Sequence, residues 1–290
     1  MAVLTKNGLL RNMSILSVIL FSAILHASWN AFIKNKGNGF AKMVILATII
    51  ALFMVPLLFY VGLPSSTAAI YLFFGVIAHT MYMHSLTRAY AIEDFSVAYP
   101  FARGLAPLLT ILILIFILNK TISLNEIIAI GIIISGIFVL FIGKSFSLDY
   151  KNVLALLYFP VSITFYTLVD SYAVKTVESS MQYIVWLFFL MPIPILLYSI
   201  SNQRNLLITT FTENKFPLII AAIGSVTSYS LVLWAYTQAP IHYVASIRES
   251  SIIFASLIGL LFFKEQGLKR RLAAAIILFI GVFLLEYVSH

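Results

Sequence analysis

Cysteine is absent from this sequence of 290 residues, and charged residues are scarce. Without cysteine the chain can form neither disulfides nor thiolate metal sites, and it has no cysteine nucleophile. Only 10% of the residues are charged, with 18 Lys and Arg against 10 Asp and Glu. So few charges cannot cover the surface of a soluble core of this size. The composition therefore excludes an ordinary soluble globular domain.

Apolar residues are abundant instead and make up 62% of the chain, at a mean hydropathy of +1.05. This share is far above that of a soluble domain and predicts an all-α membrane protein. The net charge is +8, and the basic residues are scattered through short links. This pattern indicates contact with anionic lipid head groups rather than nucleic acid. We therefore expect a lipid bilayer, and no nucleic acid, as partner.

Ten apolar segments are each long enough to cross a hydrocarbon layer about 30 Å thick as a helix of about 20 residues. Short polar links separate them and leave almost nothing for a soluble domain. The first segment has no small-x-small cleavage site, so we interpret it as a retained helix. The segments are 13–34, 40–61, 67–90, 94–118, 123–142, 151–173, 180–200, 214–237, 241–263 and 268–287.

The chain divides at its midpoint into two sets of five segments. A shift of 145 residues sets Arg103 on Arg248, and it also sets Gly136 on Gly281. Because five is an odd number of crossings, a duplicated five-helix unit has its second copy inverted in the bilayer. Inverted repeats are the construction by which secondary transporters form a substrate site near the midplane. We therefore expect two inverted five-helix repeats around a central cavity, over residues 1–145 and 146–290.

Three stretches carry a family resemblance: LHASWNAFIK, AYPFARGLAPLLT and LIGLLFFKEQGLKRRLAAAIILFIGVFLLEY. They resemble the EamA-type branch of the drug/metabolite transporter superfamily, over essentially the whole chain. The resemblance implies a secondary transporter, most often an exporter of amino acids or related compounds, and we expect it in the inner (cytoplasmic) membrane of a bacterium. The family usually carries a Glu in the link after the fourth and ninth helices. This holds at Glu265, whereas the first half has Lys120.

Enzyme signatures are absent or wrongly spaced. GIFVLFIGKS has six rather than four residues between the glycines of a phosphate-binding loop, so no ATP site is expected. The sequence has no HExxH, no GxSxG and no carboxylate pair at helical spacing inside a predicted span. His79 and His84 are five residues apart and would not share a metal on a straight helix. We therefore expect no enzyme activity, no cofactor and no metal.

Arg103 lies inside an apolar run, between Pro100 and Pro107. An arginine at this depth costs about 2.5–3.5 kcal/mol on insertion scales, so it needs compensation. In one interpretation it snorkels to the interface or pairs with Glu93 or Asp94. In the other its guanidinium faces a water-filled cavity and holds a substrate carboxylate through two hydrogen bonds. The prolines favour the cavity, because helix-breaking residues at membrane depth are tolerated mainly there or beside neighbouring helices.

The stretch SIRESS contains the adjacent Arg248 and Glu249. Neighbouring helical positions point about 100° apart, so these two charges cannot easily pair with each other. One interpretation is a structural ion pair with another helix. In the other, Arg248 holds an anionic group while Glu249 meets an ammonium or carries a proton. Protons are therefore a candidate coupling ion.

Histidines and aromatic residues complete the predicted site. One face of the first segment presents His26, Trp29 and Asn30, and one face of the third presents His79 and Tyr82. An intramembrane histidine suits a proton-linked step, because imidazole titrates near neutral pH. These side chains equally fit interfacial aromatics or bonds to neighbouring helices. The predicted substrate-binding residues are His26, Trp29, Asn30, His79, Tyr82, Tyr99, Arg103, Trp234, Arg248 and Glu249.

The orientation of the termini stays open. Arg103 and Arg248 lie within segments and are not counted here. Of the other Lys and Arg residues, four lie on the side of the membrane that holds both termini and twelve lie on the opposite side. The positive-inside rule then puts both termini outside. The family resemblance favours termini in the cytoplasm.

Two functions are consistent with the sequence. The first is a secondary transporter that moves a small zwitterionic or anionic metabolite, an amino acid or a relative, by alternating access. The second is a membrane-embedded lipid-handling protein or enzyme that uses the same basic groups on phosphate head groups. Substrate identity, direction, coupling ion and oligomeric state do not follow from the sequence.

Overall fold

The computed structural model is helical wherever it describes the chain, and the described residues contain no strand. The helices follow the predicted segments closely, because a long apolar run in a bilayer can satisfy its backbone polar groups only within a helix. The all-α class is confirmed for the described residues. These are 6–118, 123–142, 149–177, 179–238, 244 and 247–288. The helices are α1 (Lys6–Lys34), α2 (Gly39–Val61), α3 (Ser66–Ile92), α4 (Phe95–Leu118), α5 (Leu124–Phe141), α6 (Tyr150–Thr176), α7 (Ser180–Leu190), α8 (Ile193–Gln238), α9 (Ser251–Leu261) and α10 (Leu268–Val288).

Six stretches of the described part are long and apolar enough to cross a membrane. The longest, Met181–Val232, runs from α7 into α8 and contains non-helical backbone at Gln203 and Asn214. It therefore covers most of two predicted segments, 180–200 and 214–237, and the second kink coincides with the predicted start of the latter. Ten crossings stay a prediction.

Helix starts are fixed by local side chains. The side chains of Asn38, Ser65 and Ser123 accept hydrogen bonds from backbone N–H groups in the first turns of α2, α3 and α5. Such caps satisfy donors that have no partner within the helix. At α5 the cap is reciprocal, because Glu126 accepts from the backbone of Ser123 at 2.8 Å.

The chain forms two compact units, each drawn from both halves of the sequence. The first unit comprises Met1–Ala31, Asp94–Ser145 and Gly224–His290, and the second comprises Phe32–Glu93 and Phe146–Ile223. Contacts between α4, α5, α9 and α10 dominate the first unit, and contacts between α2, α3, α6 and α7 dominate the second. These units describe packing, whereas the boundary after residue 145 describes a sequence repeat, which stays a prediction.

In the first unit, α5 and α10 run antiparallel in close contact. Arg270, at the start of α10, donates a hydrogen bond to the carbonyl that follows the end of α5. Further back along α5, a Cβ added at Gly136 would lie 2.9 Å from Cγ of Leu278. Still further back, Ile133 lies against Gly281. As the position along α5 decreases, the partner in α10 increases, which defines the antiparallel arrangement.

We expect Gly281→Ala to lower the free energy of unfolding by about 1–3 kcal/mol, the usual cost of overpacking. The new Cβ would lie 2.8 Å from the backbone nitrogen of Ile133, which cannot move aside as a side chain can. Gly131→Ala is the matched control in α5, because nothing lies within 4 Å of a Cβ there. Denaturation of the purified protein in detergent measures both, and identical curves would contradict the close contact.

Candidate functional site

A mostly buried group of polar side chains lies in the first unit. It is built by the C-terminal part of α1, the first turns of α4 and the turn that precedes α9. Seven of the ten residues predicted for the substrate site belong to it. We call it the arginine cluster, and its members are His26, Trp29, Asn30, Tyr99, Arg103, Arg248, Glu249, Ser250 and Ser251.

Arg103 and Glu249 form an ion pair within this cluster. Nε of Arg103 donates to Oε2 of Glu249 at 3.1 Å, and Nη2 donates to Oε1. The two side chains are only 8% and 7% exposed. Arg103 lies about 12 Å along α4 from its first residue, at 1.5 Å per residue. The buried carboxylate is therefore the compensation that the depth of this arginine requires, and the fork predicted to hold a substrate carboxylate holds Glu249.

Arg248 brings a second guanidinium to the cluster. Its charge acts on His26, Tyr99 and Glu249. Arg103 and Arg248 thus bring two guanidinium groups to the carboxylate of Glu249.

The backbone turns at Glu249 and Ser250, immediately before α9. Two hydrogen bonds of the three-residue type close this turn, from Ser250 N to Ile247 O at 3.0 Å and from Ile252 N to Glu249 O at 2.9 Å. By contrast, α4 is helical through both of its prolines. The irregular backbone expected around Arg103 is therefore found in the ninth segment instead, on the partner side of the ion pair.

Two buried polar atoms of the arginine cluster have no hydrogen-bond partner among the described residues. They are Nε1 of Trp29 and Oγ of Ser250. Trp29 is 6% exposed and meets His26 edge-on at 5.3 Å between ring centroids, and the ring of Tyr99 lies 6.1 Å from that of His26. Buried polar groups are almost always paired, so these two atoms mark positions that a ligand or water would complete.

His79 and Tyr82 lie in the second unit, in a separate group that we call the histidine–aspartate cluster. Nε2 of His79 is 2.9 Å from Oδ2 of Asp170, and the Tyr183 hydroxyl donates to Oδ1 at 2.8 Å. The ring of Tyr166 stacks on His79 at 4.8 Å and meets Tyr82 edge-on at 5.1 Å. Asp170 lies near the end of the sixth predicted segment, where the sequence suggests an interfacial carboxylate. The structure pairs it inside the unit instead.

Trp234 belongs to neither the arginine cluster nor the histidine–aspartate cluster. It lies on α8 with 43% of its surface exposed. An exposed aromatic side chain on a membrane helix fits the interfacial alternative better than a role inside a substrate site.

A third polar group fixes the start of α4 and was not predicted as a functional feature. Glu265, in the link after α9, accepts from the backbone N–H groups of Phe95 at 2.8 Å and Ser96 at 3.0 Å. Arg271 donates to this carboxylate at 3.1 Å and to Asp94 at 2.5 Å. Glu265 thus caps α4 from a distant part of the chain, which positions the helix that carries Arg103.

The sequence signal for this anchor was partial. The resemblance singled out Glu265, but Arg271 looked like any other residue of the basic link KEQGLKRR. In the structure the side chains of Glu265 and Arg271 are only 6% and 5% exposed. The local sequence does not distinguish this buried arginine from its neighbours.

The part of the chain from α6 to α10 matches a known family. The match is to the EamA-like transporter family and spans residues 150–287. The matched region is just under half of the chain. This region contains Arg248, Glu249 and Glu265, and the match confirms the family resemblance of the sequence over residues 150–287. None of the curated proteins matches this chain significantly.

The match to this family and the apolar helices together support a multi-pass integral membrane protein. The family is one of membrane transporters within the drug/metabolite transporter superfamily, rather than one of enzymes. Arg248 and Glu249 of the arginine cluster therefore lie in the part of the chain that is similar to a family of membrane transporters.

Proposed function

We propose that this protein is a secondary transporter, working as an exporter, in the cytoplasmic membrane of a bacterium. Its substrate is a small zwitterionic or anionic metabolite, an amino acid or a related compound, which it moves by alternating access. The observation that carries the proposal is the arginine cluster, in which the buried pair of Arg103 and Glu249 is accompanied by the half-buried Arg248, in a chain whose second half is similar to a transporter family.

The charges of the cluster suit the two ends of an amino acid. A substrate carboxylate fits the donor forks of Arg103 and Arg248, and an ammonium fits Glu249. Because Glu249 already occupies the fork of Arg103, an incoming carboxylate competes with it for the same two donors. Substrate binding would then release Glu249 toward the ammonium group, so that one exchange of partners satisfies both ends.

The two buried polar atoms that have no partner among the described residues can form neutral hydrogen bonds with such a substrate. Nε1 of Trp29 can only donate, and Oγ of Ser250 can donate or accept. An oxygen of the substrate would satisfy Trp29, and either an oxygen or a nitrogen would satisfy Ser250. Both atoms support a polar ligand rather than an apolar one.

The contact between α5 and α10 supports the architecture of two inverted repeats. Gly136 meets Leu278, and Ile133 meets Gly281, so each residue of one pair lies 145 positions from its counterpart in the other. Reciprocal contacts of this kind arise between elements related by a twofold axis. Because α5 and α10 are antiparallel, this axis is perpendicular to them, and for two membrane-spanning helices it lies in the membrane plane.

Each unit contains a pair of contacting serines. In the second unit, the hydroxyls of Ser85 in α3 and Ser162 in α6 are 2.6 Å apart. In the first unit, those of Ser22 in α1 and Ser228 in α8 are 3.1 Å apart. The proposed shift of 145 residues sets Ser85 on Ser230 and Ser162 on Ser17, so the two serine pairs do not correspond residue by residue.

Arg248→Gln should weaken substrate binding about ten- to a hundredfold, because a hydrogen bond to a charged group contributes about 1.5–3 kcal/mol. The assay is flux of radiolabelled L-amino acids into liposomes that contain the purified protein, with affinity taken from the concentration dependence. Trp234→Phe is the control, since this exposed side chain lies outside the cluster. Melting curves establish first that both variants are folded.

Unchanged affinity in folded Arg248→Gln would remove this arginine from the site. Turnover of labelled phospholipid in the same liposomes, without solute flux, would favour the lipid-handling alternative and refute the transporter.

A further inference from the structure

The histidine–aspartate cluster contains two ionisable groups that the arginine cluster does not use. His79 and Asp170 are in contact at 2.9 Å, with side chains only 15% and 13% exposed. They lie on α3 and α6, both among the candidate membrane spans. Ionisable side chains at such positions are costly, and they commonly mark proton or ion pathways.

The carboxylate of Asp170 is held at both oxygens. Oδ2 meets the imidazole of His79, and Oδ1 accepts from the hydroxyl of Tyr183, which is itself only 1% exposed. Two accepted hydrogen bonds suit an ionised carboxylate, which can only accept. In that state Nε2 of His79 carries a hydrogen and donates it, and Nδ1 is the atom open to protonation.

Proton gain at His79 needs no rearrangement of these bonds. A proton from water adds to Nδ1, and the net charge of the pair changes from minus one to zero. The bond from Nε2 to Asp170 persists and becomes charge-assisted. At Glu249, by contrast, protonation would disrupt the paired hydrogen bonds from Arg103.

Tyrosines lie around the pair. Within the described part of the chain, the titratable groups around it are tyrosines: Tyr82 from α3, Tyr166 from α6 and Tyr183 from α7. The helix α2 also packs on α3, but among the described residues it places no titratable side chain against the pair. Imidazole changes charge near neutral pH, whereas tyrosine does so only in strong base.

We propose that the His79–Asp170 pair is the proton-binding site that couples transport to a proton gradient. This rests on the proposed transport function. The pair takes up one proton on the acidic side of the membrane and releases it on the other, and substrate recognition stays with the arginine cluster. The sequence favoured Glu249 or His26 as the proton carrier, and the pairing of Asp170 transfers that role to the second unit.

The test measures flux in liposomes with labelled L-amino acids as the probe, both with an imposed pH gradient and as exchange without one. A gradient of one pH unit supports up to about tenfold accumulation per coupled proton. We expect Asp170→Asn to exchange substrate within about twofold of the parent, and we expect both Asp170→Asn and His79→Gln to lose the accumulation. Gln at position 79 can still donate to Asp170, so this variant keeps the helix contact if Asp170→Asn does not fold.

Ser85→Ala and Ser162→Ala are matched controls, because they remove another polar contact between α3 and α6 that does not titrate. Both should accumulate substrate as the parent does. Accumulation that persists in folded His79→Gln would overturn the inference, as would a parent protein whose flux ignores the gradient. In either case the transporter itself stands. Absence of any amino-acid flux in the parent would refute both proposals together.

Discussion

Arg103→Gln is expected to lower the free energy of unfolding by about 3–5 kcal/mol, the typical cost of removing one partner from a buried ion pair. Glu249 would keep its charge and burial but lose both hydrogen bonds from Arg103. Chemical denaturation in detergent measures the change. Arg103→Lys should fall between the parent and Gln, because it keeps the charge and loses the planar fork.

The double variant Arg103→Gln with Glu249→Gln separates the ion pair from the burial of each side chain. With both charges removed, much of the loss should be recovered, since buried pairs are often replaceable by neutral groups at small cost. The coupling in this cycle is expected at about 0.5–3 kcal/mol. Two single losses that simply add would show that Arg103 and Glu249 do not depend on each other.

Glu265→Ala is expected to cost a comparable amount, about 3–5 kcal/mol. The substitution leaves the first N–H groups of α4 without their acceptor and removes a buried carboxylate from Arg271. Because α4 carries Arg103, we also expect weaker substrate binding. Denaturation and substrate affinity are measured on the same preparation.

Glu213→Ala is the control for this variant, since Glu213 is an exposed carboxylate on α8. It should change neither stability nor affinity appreciably. If Glu265→Ala lost stability but bound substrate like the parent, the anchor would stabilise α4 without positioning the site. If stability were also unchanged, the bonds to Phe95 and Ser96 would not contribute to the fold.

The sequence alone predicted the periodic features of the chain. The predicted segments agree with the described helices to within a few residues at most ends, because the length of an apolar run is a local property. The shift by 145 residues drew attention to Arg103 and to the stretch that holds Arg248 and Glu249. These three residues do meet in one cluster of the first unit.

The sequence predicted less well which ionisable side chains pair with each other. The sequence offered Glu93 and Asp94 as partners for Arg103, and the structure gives it Glu249. It treated Asp170 as interfacial, and the structure pairs it with His79. In each case the decisive neighbour lies more than 90 positions away, so spacing along a helix carries no information about it.

The sequence alone determined that this protein is helical and membrane-embedded, because composition and the length of apolar runs decide how a chain meets lipid. It also showed that only a few ionisable residues lie within the predicted spans. Only the tertiary structure decided how those residues combine into an arginine cluster, a histidine–aspartate cluster and an anchor at the start of α4. The physical reason is that a buried charge is costly unless a partner lies beside it. Which partner is within reach depends on how distant helices pack.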